Sequence, residues 1–227
     1  MSWREWVRGA EIEPSIYAAD FARLGEQLAE AMEVGARIFQ FDIGDGHFVE
    51  PVTMGPIVIE SIAELVHERG GVLDCHLMVS NPARHIPQVA KAGGDSVTFH
   101  LEATDDPART AALARAHGLG AGLAFKPETR VETSVEAAVA AEVDLVLCMS
   151  IEPGYSGQEF LPETYERIRR LRGLLPEEVY VQVDGGVELE NAARVREAGA
   201  ELLVAGSAVF GAGDPAAAYA ELARIVA

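Results

Sequence analysis

Lysine is almost missing from this chain: Lys91 and Lys126 are the only two, and every other basic residue among its 18 is an arginine. Against 36 acidic residues this leaves a net charge of −18. That excludes a nucleic-acid binder, because such proteins gain most of their affinity by neutralising phosphates. A small phosphate ester is not excluded, since converging backbone N–H groups attract it locally. Cysteine is equally scarce. Cys75 and Cys148 fall inside apolar runs, and that number and placement exclude a disulfide framework and imply buried free thiols. No apolar run reaches the roughly 18–20 residues of a membrane span. The start, Met1-Ser2-Trp3-Arg4-Glu5-Trp6, lacks the basic head and apolar stretch of a secretory leader. The expectation is a soluble, cytoplasmic protein with no membrane or nucleic-acid partner.

What is present is an ordinary globular balance, 49% hydrophobic and 24% charged, arranged with strong regularity. Short β-rich runs at 12–16, 37–41, 72–76, 96–99, 120–124, 145–149, 179–183 and 202–205 alternate with amphipathic stretches such as 20–34, 82–92, 107–117, 162–171 and 189–198. Asp20, Asn81-Pro82, Asp106-Pro107 and Asp214-Pro215 read as helix starts, and Gly35, Gly93, Gly118 and Gly199 as helix ends. Strands apolar on both faces imply a parallel sheet covered by helices. Eight near-equal repeats with no linker favour a closed, single-domain (β/α)8 TIM barrel over an open doubly wound sheet. Residues 11–227 are assigned to the barrel. Residues 1–10, with Trp3 and Trp6, form an N-terminal extension expected to pack over one barrel end.

In such a barrel the reactive groups come from strand C-terminal ends and the loops that follow. Those positions hold Ser15, Gln40, Asp42, His76, Met78, Lys126, Met149, Asp184 and Ser207, a set more polar than a core requires. Side chains two apart on a strand share a face, so Gln40 points with Asp42 and His76 with Met78. Asp42 and Asp184, on strands two and seven, can hold a carbon acid between them. One carboxylate takes a proton while the other supplies one to the opposite face, which inverts a stereocentre beside a carbonyl. The alternative is that each Asp caps the helix after its strand. Glycine-rich turns at Gly154-Tyr155-Ser156-Gly157, Gly185-Gly186 and Gly206-Ser207 follow strands six, seven and eight, where a backbone phosphate site forms readily. His47 and His100 can approach the pocket but are read as structural hydrogen-bonding residues; His67, His85 and His117, on helical stretches, are read as solvated.

From Ile12 to Val226 the chain resembles the ribulose-phosphate 3-epimerase family. The resemblance is carried by Pro14-Ser15-Ile16 with Ala19-Asp20-Phe21, Asp45-Gly46-His47-Phe48-Val49, and His76-Leu77-Met78-Val79. Met149-Ser150 with Pro153-Gly154, Gly157-Gln158, Val183-Asp184-Gly185-Gly186-Val187 and Ala205-Gly206-Ser207-Ala208-Val209-Phe210 complete it. The resemblance implies a metal-dependent epimerase that interconverts ribulose 5-phosphate and xylulose 5-phosphate, commonly as a homo-oligomer. It implies catalytic roles for Asp42 and Asp184, and a divalent metal (Zn, Mn, Fe or Mg) held by these two with His76 and, at the first-ligand position, Gln40. Substrate contacts are implied for Ser15, His76, Met78, Met149, Gly154, Gly157, Gly185, Gly186, Gly206 and Ser207.

The departures from the family pattern are specific. Its His-x-Asp on strand two reads Gln40-Phe41-Asp42, so a first-ligand imidazole has become an amide, and the expected site either shifts from Zn toward Mn or Mg or loses the ion. The methionine two residues after that aspartate is Gly44, which is expected to open space. Asn-Pro on strand five reads Lys126-Pro127, Asn-Pro-Gly after strand six reads Glu152-Pro153-Gly154, and Pro-Asn after Val49 reads Glu50-Pro51. Lys126 and Glu152, on neighbouring strands, are expected to form an ion pair across the rim. The space at Gly44 also suits another ketose phosphate such as allulose 6-phosphate. Loss of the strand-two histidine suits a non-catalytic sugar-phosphate binder. A sugar-phosphate decarboxylase is disfavoured, because no lysine lies between Asp42 and Asp45.

Overall fold

The computed structural model describes residues 3–155 and 157–227. Eight parallel strands, β1 (Glu11–Pro14), β2 (Ile38–Gly44), β3 (Val72–Met78), β4 (Ser96–His100), β5 (Gly120–Phe125), β6 (Leu145–Met149), β7 (Tyr180–Asp184) and β8 (Leu202–Ala205), follow one another round a single sheet. Among the described residues, the backbone pairing that completes the ring between β1 and β2 is the single parallel bridge Ser15–Gln40. Outside it lie α2 (Leu24–Glu33), α3 (Pro56–Glu68), α4 (Pro82–Ala92), α5 (Pro107–Ala116), α6 (Val131–Ala140), α7 (Thr164–Leu174), α8 (Ala192–Glu197), α9 (Ser207–Phe210) and α10 (Pro215–Val226), after a first short helix α1 (Trp3–Trp6). This is a single-domain TIM barrel. Among the described residues, no helix is long and apolar enough to cross a membrane.

Local chemistry accounts for most of the element boundaries. Asn81, Asp106 and Asp214 each accept a hydrogen bond from the N–H three residues on, with proline opening the helix behind them. Asp20 does not cap. Its Oδ1 accepts the Ala22 N–H in a local turn, and α2 starts only at Leu24. Strand β2 runs to Gly44, three residues beyond the expected end at 41, because its pairing with β3 continues through Asp42–His76 and Gly44–Met78.

The period of two along each strand sorts side chains between two cores. On β2, Phe39, Phe41 and Ile43 pack outward beneath the helices, whereas Ile38 joins a smaller apolar cluster inside the ring. That inner cluster includes Leu145, Leu147 and Leu202, and α1 packs against it with Trp3 and Trp6 both buried. The two indoles meet edge to face at 5.2 Å, and Trp3 lies against Tyr180. Cys75 and Cys148 are buried and free.

Between the apolar floor and the mouth lies a polar layer. Gln182 donates through Nε2 to Glu13 Oε2 (2.5 Å) and Asp74 Oδ2 (3.0 Å), while Ser96 and Thr98 donate to Asp74 Oδ1. Glu13 is fully buried and its Oε1 has no partner. Burial, and then the charge of Asp74, push the Glu13 carboxyl well above its ordinary range, against the bond from Gln182. The folded chain therefore binds this proton more tightly than the unfolded chain. Its stabilising contribution is complete below the ordinary carboxylate range and is lost as pH rises through the raised folded value. Glu13→Gln keeps the neutral shape without the titration. Its urea midpoint should exceed the wild-type midpoint by more at about pH 8 than at about pH 5, and an equal difference at both would contradict the assignment.

Candidate active site

Strand register builds the site. Pairing of β2 with β3 sets Asp42 beside His76, and pairing of β6 with β7 sets Met149 beside Asp184. Although β2 and β7 stand three steps apart in the ring, one ligand atom from each of Asp42, His76 and Asp184 lies within 4.8 Å of the others. His76 Nδ1 is 3.0 Å from Asp42 Oδ1 and 3.6 Å from Asp184 Oδ2. Ser15 donates through Oγ to Asp42 Oδ2 at 2.7 Å. These groups form the floor of a cleft whose walls include Met78, Met149, Gly154, Gly157, Gly185, Gly186, Gly206 and Ser207. Every substrate-contact residue read from the sequence lines this cleft except His76, which is fully buried beneath it. Ser156, within the strand-six turn, lies outside the described residues. Tyr17, Ile151 and Val204 also line the cleft without having been named from the sequence, as do Tyr155 and Val187, which the sequence named only as parts of motifs and not as contacts.

The electrostatics follow from placing two carboxylates together out of bulk water. Burial, and then the charge of Asp42, push Asp184 up to about 7, with His76 and the Gln40 hydrogen bond pulling the other way. Burial alone would lower His76, but the hydrogen bond and charge of Asp42 and the charges of Asp184 and Asp74 raise it. Behind His76 stands His100, Nε2 to Nε2 at 2.9 Å, and behind that Glu102, 3.2 Å from His100 Nδ1. Burial pushes His100 down to about 4, against its bond to Glu102. Glu102, despite burial, is held down to about 2 by bonds from His100, Thr129 and the Lys126 N–H. His100, read from the sequence as a structural hydrogen-bonding residue able to approach the pocket, bonds to His76 and Glu102 without lining the cleft; the identity of these partners was not anticipated. The signal was available in the period of two: His100 is two residues beyond Thr98, on the lumen side of β4.

The donor set suits a divalent cation. Two carboxylates and one imidazole converge, and their mutual repulsion is what a cation relieves. Beside them the buried Gln40 Oε1 has no partner, while Nε2 of the same amide points at Asp184 Oδ2 from 3.4 Å. Exchanging the amide's two ends would turn that oxygen toward the carboxylates. Gln40 thus neighbours the cluster, with its nitrogen rather than its oxygen foremost.

Two expectations are corrected at the rim. Among the described residues no ion pair joins Lys126 to Glu152; the Lys126 ammonium lies over the Phe48 ring, 4.7 Å from its centroid, and the Glu152 carbonyl accepts from Gln158. A ring face close at hand holds the cation without ordering a second long side chain. Nor does Gly44 open space. A Cβ there would lie 2.9 Å from the Pro51 carbonyl oxygen and 3.0 Å from Val49 Cγ2. The loop after β2 fills the gap, pinned by Thr53, whose Oγ1 donates to the Asp42 carbonyl and accepts the Gly44 N–H.

The ribulose-phosphate 3-epimerase family profile matches residues 11–210. The ribulose-phosphate 3-epimerase of Mycobacterium tuberculosis (strain ATCC 25618 / H37Rv) is 43% identical over 219 residues, 95% of this chain and 93% of that one. The protein of the same name from Escherichia coli (strain K12) is 41% identical over 202 residues, 88% of each chain. Among solved structures, a 3-hexulose-6-phosphate synthase superposes with a TM-score of 0.71 at 24% identity, covering 96% of this chain and all of the other, a likeness of fold alone. Gly44→Ala is expected to displace the 49–53 loop and destabilise the protein by about 1–3 kcal/mol, read as a fall of several degrees in Tm; an unchanged Tm would show that the loop yields freely. The chain belongs to the ribulose-phosphate 3-epimerase family, and so to the isomerases.

Proposed function

We propose that this enzyme inverts C3 of a ketose phosphate, interconverting ribulose 5-phosphate and xylulose 5-phosphate, with Asp42 and Asp184 exchanging protons at opposite faces of that carbon. The observation that carries this reading is the convergence of Asp42 and Asp184, from strands three steps apart, on one cleft with His76 against both. C3 of such a sugar lies beside the C2 carbonyl, so its proton is the acidic one, and its loss gives an enediolate. Asp184, raised to about 7, is suited to hold a proton near neutrality and deliver it. Asp42, oriented by Ser15 and His76, is suited to accept one. The next turn of the cycle, in the reverse direction, exchanges their roles.

Asp42, His76 and Asp184, with Gln40 once its amide is turned, would hold a divalent ion there. When bound, that ion polarises the C2 oxygen and stabilises the charge developing on it. The methionines Met78 and Met149 wall the cleft and keep water from the carbanion side. The phosphate is assigned to the backbone turns at Gly157, Gly185-Gly186 and Gly206-Ser207. Ser207 Oγ donates to Glu188 at 3.2 Å, so an arriving phosphate displaces an acidic neighbour from that hydroxyl. The filled gap at Gly44 removes the ground for preferring a longer ketose phosphate.

Solvent deuterium should enter C3 of ribulose 5-phosphate in the presence of the wild-type enzyme. Asp42→Asn and Asp184→Asn should each lower that exchange by at least about 100-fold while the circular dichroism spectrum is kept. Wild-type exchange in either variant would overturn the two-aspartate assignment. Activity should fall after chelation and return with Mn or Zn; undiminished turnover in a metal-free sample would end the metal-dependent part.

A further inference from the structure

His100 and Glu102 do not line the cleft, and no step above uses them. Yet they decide which face His76 turns to the carboxylates. His100 Nε2 and His76 Nε2 lie 2.9 Å apart, with their rings stacked at 5.0 Å between centroids. Two nitrogens in such a contact cannot both donate or both accept, so one carries the hydrogen. Glu102 settles which. Its Oε1 accepts the Lys126 backbone N–H at 3.0 Å and the Thr129 hydroxyl, and its Oε2 faces His100 Nδ1 at 3.2 Å.

A carboxylate engaged in this way offers His100 only lone pairs, so His100 Nδ1 carries a hydrogen. The rest of His100 is enclosed, with Phe48 at 4.8 Å and the Lys126 ammonium on that ring, surroundings that favour a neutral imidazole. Its Nε2 is then bare and accepts from His76 Nε2–H. Without a cation, His76 Nδ1 shares a proton with Asp42 at 3.0 Å; where a cation takes that proton's place, Nδ1 is the nitrogen that offers a lone pair, because Nε2 keeps its hydrogen for His100. The constraint runs from the β5–α6 loop inward through Glu102, while the imidazole hydrogens point outward, His76 to His100 and His100 to Glu102, each bond fixing the next.

We propose that His100, oriented by Glu102, is a positioning residue that fixes the tautomer of His76 so that Nδ1 presents its lone pair to a divalent ion shared with Asp42 and Asp184. This rests on the metal-binding reading of the site, and the test separates the two. In protein labelled with 15N-histidine and loaded with Zn2+, two-bond nitrogen–proton correlations should place the His76 proton on Nε2 and the His100 proton on Nδ1. In competition with a chromophoric chelator, His100→Phe should weaken Zn2+ affinity by about 10–100-fold. His100→Gln, whose Oε1 can still accept from His76, should recover much of the loss. A His100 proton found on Nε2, or a His100→Phe variant that holds Zn2+ as tightly as the wild type, would overturn the inference while leaving the metal site standing. A wild-type protein that takes up neither Zn2+ nor Mn2+ would overturn both. The spectrum of the wild type needs no variant, so a substitution that fails to fold does not block the test.

Discussion

Two carboxylates brought within 4.8 Å of each other, away from bulk water, set the terms for the rest of this barrel. At an effective dielectric constant of about 20 such a pair repels by roughly 3–4 kcal/mol. The surrounding groups act against that repulsion. Ser15 donates to one carboxylate, Gln40 to the other, and His76 lies against both. What the donors leave uncompensated appears as the raised Asp184 carboxyl. The same imbalance makes the floor of the cleft receptive to a cation, so proton chemistry and metal binding draw on one cause.

The layer beneath repeats the pattern, with Glu13 and Asp74 both buried and both carboxyls pushed up by that burial. Glu13 and Asp74 are bridged by Gln182, whose two amide hydrogens serve both. The two acids of this layer are held because β4 and β7 supply donors at their height: Ser96 and Thr98 to Asp74, and Gln182 to both. Below it the apolar floor, closed by Trp3 and Trp6, supplies the burial.

Much of this was legible in the chain itself, because parallel strands in a covered sheet are uniformly apolar and their ends carry the polar exceptions. All eight strands lie where those runs fall, and the spacing of Asp42, His76 and Asp184 at strand ends is what brings them together. Four features were not legible, each for a tertiary reason. Asp20 resembles a helix cap but bonds within its own turn. Gly44 resembles a vacancy, yet a loop from further along the chain occupies it. Lys126 and Glu152 look complementary in charge, but an aromatic ring stands closer to the lysine. The period of two places His100 on the lumen side, but its contact with His76 depends on how β3 and β4 are aligned, which no single segment encodes.

The join between β1 and β2 has a consequence of its own. Every other neighbouring pair of strands is zipped along three to seven residues, whereas here, among the described residues, one backbone bridge, Ser15 to Gln40, is joined by the side-chain bonds of Ser15 to Asp42 at the mouth and of Arg37 to Glu11 at the other end. The seam of the cylinder therefore runs along the wall of the cleft. A ligand bridging Ser15 and Asp42 would tie the two edges together, so filling the cleft would stiffen the barrel where its backbone pairing is thinnest.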